Sequence, residues 1–455
     1  MMAGSFARSD VPAPGPIRGF DFPPVSGTRM ANGLDLRIVR AARFPIVTAM
    51  LILDAGEWGV DPIQAGLAVL AGDALEGGTA RHSAAGLAEA LEGIGAGLGV
   101  TTGWDATTVT VSCLAERLGE ALVLMAEVVL EPIFPAEEFD RVRHQRLAAI
   151  QQRAMNPSTV AGDHAARFIH ADGVPFGRPV AGTEETVGPL SGDDARSWLA
   201  KRYCPGGAGL VVVGDVDAGE IEALAAGCFG AWSGAVEPSD PVAVVQRHDG
   251  RRIEIVHRPG AVQSEIRMGH VGVSKATPDY FSLLVYNTIL GGSFTSRLNL
   301  NLRERHGFTY GARSQFRFRR NAGPFVISTA VETAVTADAV REAMSEVETL
   351  GNDGPSPDEV DAARDYIVGI FPLRLETTSQ LASRVGELII FGLPDDYHAT
   401  YRDRLRAVTQ EDTAEAGRKH VRPEQMSVVI VGDADEIRAP LEELDLGPVE
   451  VHEAG

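Results

Sequence analysis

The sequence predicts an α+β fold of two homologous lobes, each a β-sheet covered by helices. Three observations predict it. First, GLVVVGDVD from Gly209 returns as SVVIVGDAD from Ser427, an offset of 218 residues. Pro205 and Pro423 share that offset, as do Asp194 and Asp412, and RIVR at Arg37 returns as EIVH at Glu254. A repeat this long is a duplicated domain, since solenoid periods run at roughly 20–50 residues. Second, apolar runs of strand length alternate with helical patterns, but without the regular strand–helix–strand rhythm of a parallel sheet. Third, 455 residues with 44% hydrophobic and 23% charged content suit a soluble globular chain with more than one core.

The order of elements follows from local pattern. Residues 1–25, rich in Pro, Gly and Ala, read as an arm. LDLRIVR from Leu34 is a strand, and IVTAMLILDA from Ile46 is a second, more buried one. Ile63 to Leu75 reads as an apolar helix and Ala84 to Ile94 as another. ATTVTVSC alternates as a strand, and RLGEALVLMAEVVL is a helix closed at Pro132. Phe139 to Met155 is a long helix stopped by Asn156 and Pro157. Trp198 lies in a helix, and the strand from Gly209 is buried. The expected division is an arm (1–25), a first lobe (26–233), a linker (234–250) and a second lobe (251–455).

The second lobe holds the most informative stretch, ILGGSFTSRLNLNLRERHGFTYGARSQFRFRR, from Ile289 to Arg320. Gly291 and Gly292 break an apolar run. Ser293 offers an N-cap hydroxyl, and Phe294, Leu298 and Leu302 recur every four residues on one helical face. Gly307 suits a left-handed C-cap. From Phe308 the period becomes two. Tyr310, Ala312, Ser314, Phe316 and Phe318 face one way, and Arg313, Arg317 and Arg319 the other. A turn at Asn321–Pro324 returns the chain as PFVISTAVET. Seven arginines and one acid lie between Arg297 and Arg320, in a chain of formal charge -21. A solvated hairpin face accounts for such a run in most proteins.

LRERHGFTYG, preceded by GGSFTSRLN, resembles the second-lobe signature of the pitrilysin and mitochondrial-processing-peptidase family of insulinase-like zinc peptidases. Two lobes joined by a linker, GRPVAGTEETV at Gly177 and RYCPGGAGLVVVGD extend the resemblance over nearly the whole chain. It implies that Arg303 and Tyr310 hold a substrate backbone and its developing oxyanion at a zinc site on another lobe. It implies that Gly291, Gly292, Ser293, Arg317 and Arg319 line the path of a peptide.

The family's zinc motif, H-x-x-E-H, is absent. Its positions fall on Val69, Gly72 and Asp73, the third ligand falls on Ala149, and the supporting glutamate on Val142. Asp73 and Glu76 are nearby carboxylates of ordinary surface type. A catalytic zinc site needs three nitrogen or oxygen ligands. None of the eleven histidines pairs at i, i+4, His164 and His170 are six apart, and His144 reads as surface. No zinc or other cofactor is therefore expected in this chain.

The resemblance implies a non-catalytic subunit that supplies Arg303 and Tyr310 in trans to a homologous zinc-bearing subunit acting on peptides. The alternative is a scaffold or assembly protein of the same fold without chemistry. A small-ligand site at the LGGS loop rests only on a glycine pair before a helix. The acidic balance, with a pI of about 5.0, argues against a nucleic-acid partner. Cys113, Cys204 and Cys228 have no C-x-x-C spacing and read as reduced thiols. No apolar run suits a membrane span or signal peptide, so the expected location is the cytoplasm.

Overall fold

A computed structural model describes residues 15–236 and 242–453. Its first sheet holds β1 (Ser26–Arg29), β2 (Asp35–Arg40), β3 (Ile46–Leu53), β4 (Gly97–Thr102), β5 (Thr107–Leu114) and β6 (Ala208–Gly214). The second holds β7 (Arg252–His257), β8 (Gln263–Val271), β9 (Ala312–Phe316), β10 (Pro324–Glu332), β11 (Ser427–Gly432) and β12 (Val449–Glu453). The strand orders are β1-β2-β6-β3-β5-β4 and β12-β7-β11-β8-β10-β9. In each, the central pair β2–β6 or β7–β11 is parallel and the remaining core pairings are antiparallel. The repeat read from GLVVVGD and SVVIVGD is thus a repeat of topology. Both strands are buried along their whole length, as unbroken apolar runs require when both sheet faces are covered. The two sheets differ at one edge. There β1 runs antiparallel to β2, whereas β12 runs parallel to β7.

Helices cover both sheets, as expected, and two of them are exchanged between the copies. Asn156 ends one helix and starts the next: its Oδ1 accepts from Ser158 N at 2.9 Å, and Pro157 takes the first helical position of Pro157–Ile169. This helix, from the first copy, packs on β8 and β11 of the second sheet. Ala161, Ala165 and Phe168 bury against Val256, Val429 and Val431. Thr378–Phe391, from the second copy, packs in turn on β3 and β6 of the first sheet. Leu381, Ala382, Val385 and Leu388 share a core there with Met50, Ile52, Val211 and Val213. Close approach depends on glycine, since a Cβ on Gly209 would stand 2.5 Å from Ile389 Cδ1. Each buried Leu or Val contributes roughly 1.5–3 kcal/mol, so the exchange binds the halves firmly.

The arm is anchored where it is described. Phe20 meets Phe371 edge-on at 6.2 Å, Phe22 lies 5.2 Å from His398, and Arg402 Nη2 donates to Arg18 O at 2.9 Å. Residues 1–14 of the expected arm and 237–241 of the expected linker lie outside the described residues.

Candidate functional site

The helix that carries the zinc-motif positions Val69, Gly72 and Asp73 starts later than Ile63. A short turn at Pro62–Gln64 and a left-handed Gly66 (φ 93°) precede Leu67–Asp73. Its N-terminus is capped from a distance. Glu57, fully buried, accepts from Gly66 N at 2.7 Å and Ala68 N at 3.1 Å, and Arg178 Nη2 reaches its Oε1 at 3.2 Å. Burial pushes the Glu57 carboxyl up to about 7 despite those donors.

On this helix Val69 and Gly72 are buried and Asp73 is half-buried. Asp73 Oδ2 accepts from Arg146 Nε at 3.0 Å. Arg146 stands one turn before Ala149 on the Ala136–Ala154 helix, so the two helices lie side by side. A guanidinium cation thus occupies the one carboxylate, while Val69, Gly72 and Ala149 bring no ligand atom. These residues do not fit a zinc ion. Gly72 is also hemmed in: a Cβ there would stand 2.6 Å from Thr102 Oγ1, itself hydrogen-bonded to Thr107 Oγ1 at 3.0 Å.

Among the described residues, ligand-type atoms cluster at His257, Asp433 and Asp435. Backbone N–H groups already engage two of its three members. Asp433 Oδ2 accepts from Gly260 N at 2.7 Å, its Oδ1 from Asp435 N at 3.1 Å, and His257 Nδ1 from Ala434 N at 3.0 Å. The arrangement is a helix cap, and its donors oppose a cation.

The Arg303 and Tyr310 stretch is built differently from its periodicity. Gly291 and Gly292 belong to a wide, π-type turn, Thr288–Gly292, that continues the Tyr280–Asn287 helix. A Cβ on Gly291 would stand 2.4 Å from Ser314 N, so the glycine lets β9 pass close by. Ser293 is extended and does not cap; Ser296 holds the N-cap position before Arg297. Leu298 and Leu302 are fully buried, but Phe294 lies outside the helix and is 67% exposed. Gly307 adopts φ 67° as a left-handed cap requires.

Asn299 ties these parts together. Its Nδ2 donates to Ser293 O at 3.1 Å and Ala312 O at 2.9 Å, and its Oδ1 accepts from Ala312 N at 3.0 Å. Arg297 forks onto Glu359 at 2.6 and 2.8 Å. On this braced turn the Arg303 guanidinium stacks on the Phe294 ring, 4.2 Å from its centroid, with Glu304 at 3.6 Å. Tyr310, just before β9, is 98% exposed. The arrangement offers one cationic fork and one phenol to a group outside the fold.

The arginine-rich hairpin separates into two parts. Arg313 and Arg317 are exposed, as alternation predicts. Arg319 is not on an open face. Its guanidinium lies 4.4 Å from the Phe176 ring centroid and 5.1 Å from that of Trp104, both in the first copy. Burial pulls the Arg319 guanidinium down to about 10. Arg320 pairs with Asp54, donates from Nε to Ile390 O at 2.5 Å, and offers its backbone N–H to Asp105 at 3.3 Å. The hairpin end is a contact between the copies, because β9 stops at Phe316 and the alternation stops with it.

Sequence reasoning missed Glu57, Arg178, Arg146 and the stacking role of Phe294. Only the last had a local signal, since Phe294 breaks away after two glycines and a serine.

Residues 39–183 match the family model "Insulinase (Peptidase family M16)", and residues 189–367 match "Peptidase M16 inactive domain". An uncharacterized zinc protease of Mycobacterium tuberculosis (strain ATCC 25618 / H37Rv) is 27% identical over 360 residues, covering 78% of this chain and 81% of that protein. A non-peptidase homolog of Helicobacter pylori (strain ATCC 700392 / 26695) is 23% identical over 376 residues, with 82% and 86% coverage. Among solved structures, a peptidase M16 inactive domain from Pseudomonas fluorescens superposes with TM-score 0.85 at 25% identity, covering 90% of this chain and 98% of that one. A protease from Helicobacter pylori superposes at 0.82 with 17% identity, covering 90% and 99%, and shares the fold.

Proposed function

The chain belongs to the insulinase-like M16 peptidase family, and from that premise we propose that it is a non-catalytic subunit serving a zinc-bearing homologue. Arg303 and Tyr310 act in trans. The partner holds the zinc, and this chain holds none. The observation that carries the reading is the contrast between two sites. At the ligand positions stand Val69, an ion-paired Asp73 and Ala149, with Gly72 at the glutamate position, and together they supply no metal site. At the other site Tyr310 is 98% exposed on a turn that Asn299 clamps, with no work to do inside its own fold.

The chemistry follows from the donors. A peptide carbonyl gathers negative charge as it is attacked. A guanidinium and a phenol fixed beside that oxygen favour the transition state over the substrate, and one such donor is worth about 10²–10³-fold in kcat. Phe294 holds Arg303 in place without consuming its N–H groups, since the stack uses the face of the guanidinium. Gly292 and Ser293 border the same turn and would meet the peptide there, with the exposed Arg317 just beyond β9, whereas Gly291 is buried against β9 and is left out of that contact. Arg319 is engaged with Trp104 and Phe176 and is left out of that contact. A relative named as a non-peptidase homolog supports a member without its own catalysis.

No helix among the described residues is long and apolar enough to cross a membrane. The test is reconstitution with a zinc-bearing homologue of similar length. The chain alone should carry no stoichiometric zinc and cleave no peptide. The mixture should elute as one complex with chelator-sensitive peptidase activity. A complex no more active than the partner alone would mark the chain as a scaffold, and about one tightly bound zinc per isolated chain would overturn the reading.

A further inference from the structure

A slot of about 350 Å³ opens beside the Arg303 turn, between the Pro357–Ile370 helix and the loop that follows Gly292. Glu359, Ala362, Ala363 and Tyr366 line it from the helix, three or four residues apart and so on one face. The two alanines keep the slot open, since neither carries an atom beyond Cβ. Ile289 and Ala363, buried, give it an apolar interior. Phe294 and Tyr366 line it too, and they are 67% and 44% exposed, so aromatic surface at the slot is left to water.

The slot is braced before any guest arrives. Asn299 Nδ2 and Ser296 N both donate to Ser293 O, at 3.1 and 3.2 Å, which fixes the loop. Its one carboxylate is already satisfied. Glu359 Oε1 accepts from Arg297 Nε at 2.6 Å, and Oε2 accepts from Arg297 Nη2 at 2.8 Å, Ser356 N at 2.8 Å and Ser356 Oγ at 3.0 Å. A charged guest would lose its water and gain no partner there, which selects an apolar one. Position says what carries that guest. The Phe294 ring that lines the slot also carries the Arg303 guanidinium, 4.2 Å from its centroid. A group in the slot and a carbonyl at Arg303 are therefore neighbours, and a peptide offers both, a backbone carbonyl and a side chain close to it. The volume stands at the low end of the roughly 300–1,000 Å³ of small-molecule sites, which suits one large side chain.

We propose that this slot receives an aromatic or large aliphatic side chain of the peptide whose carbonyl Arg303 and Tyr310 engage, with Ala362 and Tyr366 setting a preference for bulky apolar residues near the bond that is cut. The inference rests on the role of Arg303 and Tyr310 in trans and adds a contact which that role does not require.

Two measurements test it. The first is saturation-transfer NMR on the full chain alone, with N-acetyl-phenylalanine amide and N-acetyl-alanine amide as probes. The phenylalanine probe should receive strong transfer and the alanine probe little. Ala362→Phe, at an exposed helix position, fills the slot and should remove most of that transfer. No transfer to the phenylalanine probe, or equal transfer in wild type and Ala362→Phe, overturns the proposal. The second is kcat/KM of the reconstituted complex on Gly/Ser/Ala peptides in which one phenylalanine is moved position by position. At one position phenylalanine should exceed alanine roughly tenfold or more, the scale of burying one such side chain. Ala362→Phe should bring that ratio to about one, and Tyr366→Ala should reduce it. A ratio near one at every position in wild type, or a full ratio retained by Ala362→Phe, overturns the slot. Tyr310→Phe separates the two claims, since it should lower turnover of both peptides and leave their ratio unchanged. Unaltered turnover in Tyr310→Phe refutes the role in trans and, with it, the placement of the slot at that carbonyl. Failure of Ala362→Phe to assemble with the partner overturns the proposal in favour of a subunit contact.

Discussion

Replacing Arg319 with alanine should weaken the contact between the two copies. The guanidinium lies 4.4 Å from the Phe176 ring centroid and 5.1 Å from that of Trp104, and the side chain is half-buried. Each cation–π contact of this kind is worth roughly 0.5–2 kcal/mol. Lost packing of the stem adds to that. The expected cost is about 2–3 kcal/mol, well above the ~0.5 kcal/mol typical of exposed substitutions. Arg317→Ala, two residues earlier and exposed, is the internal control. Arg319→Lys keeps the charge but not the plane and should fall between them. Urea unfolding followed by tryptophan fluorescence measures all three, with Trp104 close to the perturbed site. If Arg319→Ala unfolds at the same urea concentration as Arg317→Ala, the stacking account is wrong and Arg319 belongs with the exposed arginines.

Two further predictions follow from burial. Gly72→Glu, the first step towards restoring a zinc motif, should cost roughly 1–3 kcal/mol by overpacking, because its Cβ would stand 2.6 Å from Thr102 Oγ1. Pairing it with Thr102→Ala should recover most of the loss in thermal unfolding. Glu57 should make stability fall as pH rises. Its carboxyl is raised from 4.5 to about 7, so the folded state binds a proton that the unfolded state has released. The contribution is full below about pH 4.5 and is lost as pH climbs through about 7. The melting temperature of wild type minus that of Glu57→Gln should therefore decline from pH 5 to pH 8, and a flat difference would contradict the buried placement.

Much of the fold was legible because duplication leaves a record that needs no structure: two VVVGD-like strands and two prolines at one offset fix the correspondence of the sheets. The exchange of helices was not legible. Ala161, Ala165 and Phe168 announce an apolar face, but periodicity does not say which sheet that face will cover. Near the candidate site, the left-handed Gly307 and the alternation at Ala312, Ser314 and Phe316 were readable, because each rests on local backbone geometry. The Phe294–Leu298–Leu302 face was misread at its first member, since the turn after Gly292 carries Phe294 off the helix. Arg319 was misplaced by extending a period of two past the point where pairing ends. Glu57 and Arg178 are 121 residues apart in sequence, and no spacing rule links them.

The central claim is that Arg303 and Tyr310 work on another subunit's substrate. Steady-state kinetics of the reconstituted complex test it most directly, comparing wild type with Arg303→Ala and Tyr310→Phe after assembly is verified by size-exclusion chromatography. The account predicts normal assembly with kcat reduced about 10²-fold by each change. Full turnover by both assembled variants would contradict it.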